Sequence, residues 1–127
     1  MLEVLEIPGG CWSIGSVKSE PSVELMDWSV FEVLLPAIGI RTRHFAGTNV
    51  FSGHGRVCSP IKSFDGTSRR GITSSGRVYE LVGSLTGLCS NGSYVWNMWI
   101  QINDAKDIVD VTADIKSLMD GGQDAGT

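Results

Sequence analysis

The chain predicts an α+β fold: a curved, mainly antiparallel sheet of about five to seven strands packed on one tryptophan-rich helix, with a short C-terminal helix. Three observations predict it. Apolar residues alternate with a period of two through most of the chain up to Gly83, and the period lengthens to the helical one after Ser93. Sixteen glycines and many serines supply turns between short segments. Strands cluster first and helices follow, without the βαβ alternation of a parallel sheet. A length of 127 residues fits one domain, taken as 1–120, with 121–127 as a disordered tail.

Residues 1–7 alternate weakly through Leu2, Val4, Leu5 and Ile7 and end at Pro8-Gly9-Gly10, which fits a short strand. Residues 11–18 place Trp12 and Ile14 on one face of a half-buried strand. Residues 28–35 put Trp28, Val30, Glu32 and Leu34 on one face and Phe31, Val33 and Leu35 on the other. Both faces are largely apolar, as in a central strand. Pro36 to Gly39 reads as a hairpin loop. The return strand, Ile40 to Thr48, sets Thr42, His44 and Ala46 against Arg41, Arg43 and Phe45.

Arg56 to Phe64 reads as one strand in which Pro60 marks an edge or a bulge. Asp65-Gly66-Thr67-Ser68 is a turn, Arg70 to Thr73 leads to a second turn at Ser74-Ser75-Gly76, and Arg77 to Gly83 is a strand. Tyr94, Val95, Met98, Trp99 and Ile102 fall on one helical face, widened by Trp96 and Ile100, with Ser90 or Ser93 as N-cap. Residues 107–111 make a short strand. Thr112 caps a last helix carrying Val111, Ile115, Leu118 and Met119, stopped by Gly121-Gly122.

No stretch approaches the roughly 18 apolar residues of a membrane span, and the acidic start M-L-E-V-L-E lacks a secretory signal's positive region. These features point to a cytoplasmic protein without membrane partners. Cys11, Cys58 and Cys89 are odd in number and widely spaced, which fits buried, reduced thiols.

Charge is segregated. Seven of the ten basic residues (Arg41, Arg43, Arg56, Lys62, Arg69, Arg70 and Arg77) lie between positions 41 and 80, where only Asp65 and Glu80 oppose them. Both ends are acidic, and the total is −4. Such a pattern pairs within the fold, pairs between subunits, or holds an anion. Arg41, Arg43, Arg56 and Arg77, with Tyr79 as a stacking partner, form the candidate anion site, for a phosphate-bearing small ligand or single-stranded nucleic acid. A sequence pI near 5.0 weighs against a double-strand binder.

The remaining constellations are weaker. His44 or His54 with Cys58 has the residue types of a nucleophilic pair but no catalytic signature, and no catalytic residue is assigned. Thr73 to Arg77 has the serines and glycine of an anion nest but reads first as a hairpin turn. Asp104, Asp107 and Asp110 lack the glycine and terminal glutamate of a calcium loop. Neither a metal nor a cofactor is expected. Trp12, Trp28, Trp96 and Trp99 fit a core or a subunit interface.

The motifs W-S-V-F-E-V, T-R-H-F-A-G, G-R-V-C-S-P-I, F-D-G-T-S-R-R-G-I-T, S-G-R-V-Y-E-L-V-G and Y-V-W-N-M-W run between Trp28 and Thr112. This string resembles a group of short bacterial proteins carried on mobile elements such as integron gene cassettes. The resemblance covers about two-thirds of the chain and implies a bacterial, intracellular protein. The group has no assigned activity, so it transfers no site residues. The sequence as a whole favours a non-enzymatic binding protein that forms a homo-oligomer, most simply a dimer, through complementary charge and apolar surface. An anion binder is the alternative.

Overall fold

A computed structural model describes residues 17–83 and 87–124. The expected strand over 1–7, most of that over 11–18, and residues 125–127 of the tail lie outside these. The elements are β1 (Ser22–Leu35), β2 (Ile40–Asn49), β3 (Gly55–Val57), β4 (Ile61–Asp65), β5 (Arg70–Thr73), β6 (Val78–Leu81), α1 (Ser90–Asn103), β7 (Lys106–Asp110) and α2 (Thr112–Asp124). The seven strands form one mixed sheet in the order β3-β2-β1-β6-β5-β4, with β7 also on β1. All pairs are antiparallel except β1 with β6.

The expected central strand is longer than its apolar core, because β1 starts at Ser22. One edge of β1 carries β2 along most of its length. The other edge is shared: Ser22–Leu25 pair in parallel with β6, and Phe31–Leu34 pair antiparallel with β7. A bulge makes this compatible with one buried face. Asp27 has φ 46°, and the register with β2 shifts between Met26 and Ser29. Strand side chains change face at every residue, so one extra residue resets the parity. Val23 and Leu25 before the bulge therefore share a core with Trp28 and Val30 after it.

The helices lie against different faces. Val111, Ile115 and Met119 of α2 and its lead-in pack on Trp28, Val30, Phe45, Tyr79 and Leu81. The α1 residues Val95, Trp96 and Trp99 pack on Val33, Leu35, Ala46 and Val57. The expected tryptophan-rich helix and C-terminal helix are both present, and both pack on the sheet, each over its own core, because β1 is apolar on both faces. The tryptophan-rich helix carries a run of rings. Phe31 stacks on Trp96 at 4.3 Å, Trp96 on Trp99 at 5.4 Å, and His44 tilts against Trp99 at 4.5 Å.

Four local expectations are revised. Arg56 to Phe64 is two strands, at opposite ends of the sheet order, separated at Ser59-Pro60. Proline has no N–H for a ladder, and here its carbonyl accepts from Ser74 N–H instead (2.8 Å). The N-cap of α1 is Cys89, not Ser90 or Ser93. Thr112 does not cap α2: its hydroxyl accepts from the Val30 amide (2.9 Å), and Asp110 Oδ1 takes the Thr112 N–H (2.9 Å). The last helix continues past Gly121-Gly122 to Asp124.

Gly71 shows how closely β5 and β2 approach. A Cβ there would stand 2.5 Å from two ring carbons of buried Phe45. The ring must move to admit it, and overpacking of this kind costs about 1–3 kcal/mol. We therefore expect Gly71→Ala to lower the urea midpoint by that order, and Phe45→Leu in the same chain to recover part of the loss.

Candidate functional site

The arginines of the basic middle all have acceptors within the chain. On the α2 face, Glu32 of β1 lies across from Arg43 of β2, and Arg41 stands two residues earlier on the same side. Arg41 Nε donates to Glu32 Oε2 (2.6 Å) and its second amine to the Asp107 carbonyl (2.8 Å). Arg43 Nε donates to Glu32 Oε1 (3.0 Å) and lies 3.7 Å from Asp114 of α2. Hydrogen bonds from these two guanidinium groups hold the Glu32 carboxyl below the usual range. The group ties β1, β2, β7 and α2 together. Arg70 pairs with Glu80 across the β5–β6 ladder (3.4 Å), and Arg69 donates to the Gly83 carbonyl (3.1 Å).

A second group is buried. Arg56 of β3, Arg77 just before β6 and Tyr79 of β6 converge on Glu20. The Arg56 amine donates to Glu20 Oε1 (2.7 Å) and its Nε to the Tyr79 hydroxyl (3.3 Å). Its guanidinium carbon stands 5.8 Å from the Tyr79 ring centre. Arg77, 1% exposed, donates from Nε to the Glu20 carbonyl (2.8 Å) and lies 3.8 Å from the Glu20 carboxylate. Burial pushes the Tyr79 hydroxyl up to about 12, against the opposing pull of Arg56, so it stays neutral.

The five candidate anion residues thus divide. Arg56, Arg77 and Tyr79 come together, whereas Arg41 and Arg43 belong to the Glu32 group. Two acceptors organise these groups: Glu32, which with Glu80 is expected from the sequence as an internal ion-pair partner of the arginines, and Glu20, which sequence reasoning missed. Glu32 carried a signal: an acidic residue on an apolar strand face, opposite a return strand bearing two arginines. Glu20 carried none, because its partners lie 36 and 57 residues away in the chain.

The nucleophilic constellation does not assemble. The Cys58 thiol is fully buried in the core under α2, accepts the Phe45 N–H (3.1 Å), and is pushed by burial up to about 12. His44 faces Trp99 on the other side of the sheet. It donates from Nδ1 to the Cys58 carbonyl (2.8 Å), so Nε2 is left to accept from the Thr42 hydroxyl (2.7 Å). Burial draws this imidazole down to about 4. His54 is exposed in the turn after β2.

Cys89 departs from the expectation of three buried thiols. It is half-buried, and its thiol lies 3.0 Å from Thr48 Oγ1. That hydrogen bond, followed by the amides of Gly92 and Asn91, lowers its pKa. Thr73 to Arg77 forms the expected hairpin turn, closed by Thr73 N–H to the Arg77 carbonyl (3.0 Å) with Gly76 at φ 91°. Among the described residues no group of three or more His, Cys, Asp or Glu is placed to hold a metal ion. No helix there is long and apolar enough to cross a membrane.

No protein-family model, curated protein or solved structure matches this chain.

The His44 geometry fixes a pH response. Its folded pKa, about 4, lies below the ordinary 6.5, so the unfolded chain binds the extra proton between those values. The stability that neutral His44 contributes is complete above pH 6.5 and is lost progressively as the pH falls towards 4. At about 1.4 kcal/mol per pKa unit the loss is on the order of 3 kcal/mol. Urea unfolding from pH 7.5 to 4 should show this slope, and His44→Asn should flatten it while lowering stability at pH 7.

Proposed function

We propose that this chain is a non-enzymatic interaction protein that associates with a second copy of itself. The observation that carries the reading is how charge and apolar surface are distributed once the chain is folded. All six arginines of the basic middle have hydrogen-bond acceptors inside the same chain. Large apolar side chains remain outside, among them Ile40, Val50, Phe51, Ile108 and Val109. Association therefore depends mainly on apolar contact, with complementary charge placed around it. A bacterial, cytoplasmic protein of the mobile-element cassette kind fits this reading, on the strength of the sequence motifs.

A second reading rests on Arg56, Arg77 and Tyr79 around Glu20. Two buried guanidinium groups beside one carboxylate have the chemistry to hold an oxyanion. A phosphate-bearing ligand would compete with the Glu20 carboxylate for them.

The two readings separate cleanly. Light scattering should give about twice the 13.7 kDa chain mass, and the mass should persist in high salt because apolar contacts are not screened. A monomer at every concentration overturns the first reading. The second requires inorganic phosphate, nucleotides or short oligonucleotides to raise the melting temperature. That shift should vanish in Arg56→Gln and survive replacement of Arg41 and Arg43. No shift across the panel removes the second reading.

A further inference from the structure

Phe51 is 99% exposed, far more than any other large apolar residue described. It does not sit on a loose loop. Asn49 Oδ1 accepts from the amides of Phe51 (2.9 Å) and Ser52 (3.3 Å). The Asn49 carbonyl accepts from Gly53 N–H (2.8 Å), and the Asn49 amide donates to the His54 carbonyl (2.9 Å). Outside the turn, Val50 N–H donates to the Glu24 carbonyl of β1 (2.9 Å) and Asn91 Nδ2 of α1 to the Gly53 carbonyl (2.9 Å). A turn tied to itself, to β1 and to α1 fixes the backbone that carries the bare ring. A backbone ordered in advance reduces the conformational freedom lost on binding.

Beside the ring lies a groove of about 630 Å³, lined by Glu20, Pro21, Val23, Glu24, Val50 and Phe51 itself. It runs where a longer β2 would have continued along the start of β1, since β2 ends at Asn49 opposite Leu25. The cavity is large enough for a phenyl ring, and its exposed apolar walls are Pro21 and Val50. The knob and the hole are therefore neighbours on one patch.

Resting on the self-association reading above, we infer that two copies dock about a two-fold axis at this patch, each placing Phe51 in the other's groove. A two-fold interface requires a self-complementary patch, and an adjacent knob and hole meet that requirement. Each buried ring removes about 150–250 Å². With Val50 and Pro21 beside it, that forms the apolar centre of a standard interface of about 800 Å² per partner. The charged residues lining the groove are Glu20 and Glu24, and exposed Lys18 precedes Ser19 at its end. A two-fold axis that sets Lys18 against the partner's acidic groove wall would pair opposite charges around the rings.

Sedimentation equilibrium of the full chain and three variants tests this. Phe51→Ala removes the knob, and Ser22→Trp fills the groove while leaving the knob in place. Each should weaken the dimer at least about thirtyfold, the effect of a hot-spot residue, with the melting temperature of the monomer unchanged for Phe51→Ala. Ile108→Lys, on the exposed strand β7, should leave the dimer constant within about twofold. A dimer equally tight in Phe51→Ala overturns the docking mode and leaves self-association standing. Loss of the dimer in Ile108→Lys alone assigns the interface to β7 and likewise overturns it. A monomeric wild type overturns both.

Discussion

The structure depends on β1 being served from both edges and buried on both faces. Of its fourteen residues, those from Leu25 to Leu35 run along β2 on one side, while on the other Ser22–Leu25 pair with β6 in one direction and Phe31–Leu34 with β7 in the opposite one. A one-residue shift would exchange the side chains of its two faces, carrying Trp28 and Val30 into the core under α1 and Val33 and Leu35 into the core under α2. The bulge at Asp27 lets Val23 and Leu25 keep the same face as Trp28 and Val30. Two separate cores, one under each helix, are therefore fixed by the register of a single strand.

The polar groups follow from the same constraint. A central strand with a glutamate on an apolar face needs a partner for it, and β2 supplies Arg41 and Arg43 on that face. Exposed pairs of this kind contribute little stability each, about 0–1 kcal/mol. Their effect here is geometric: the same guanidinium groups reach the backbone of β7 and the side of α2. Farther along the face, Arg56 and Arg77 are buried and so demand Glu20 more strictly, since removing one partner from a buried charge is costly. Thr112 and His44 behave alike. Each spends its hydrogen bonds on a neighbouring strand or loop, which is why one does not cap a helix and the other does not activate a thiol.

Charge segregation is thereby largely consumed within one chain. A stretch rich in arginine, flanked by acidic ends, had three possible uses, and folding satisfies the arginines with Glu20, Glu32, Glu80, Asp114 and backbone carbonyls. Among the large apolar side chains, the fold leaves Phe51 and the β7 residues Ile108 and Val109 outside. The self-association proposed above rests on that remainder.

Local pattern by itself determined the hairpin of β1 and β2, the two faces of each, the turns at Asp65-Gly66 and Ser75-Gly76, and the aromatic helix α1, because alternation, turn chemistry and helical spacing are properties of neighbouring residues. Tertiary structure decided what depends on distant residues. It placed β3 and β4 at opposite ends of the sheet order, set the helices against separate cores, and chose Glu20 as the acceptor for Arg56 and Arg77. It also left Phe51, an ordinary apolar residue in the sequence, fully in solvent. Burial and charge pairing are set by which strands become neighbours, and that order is written in the packing of both faces of β1 rather than in any local run of residues.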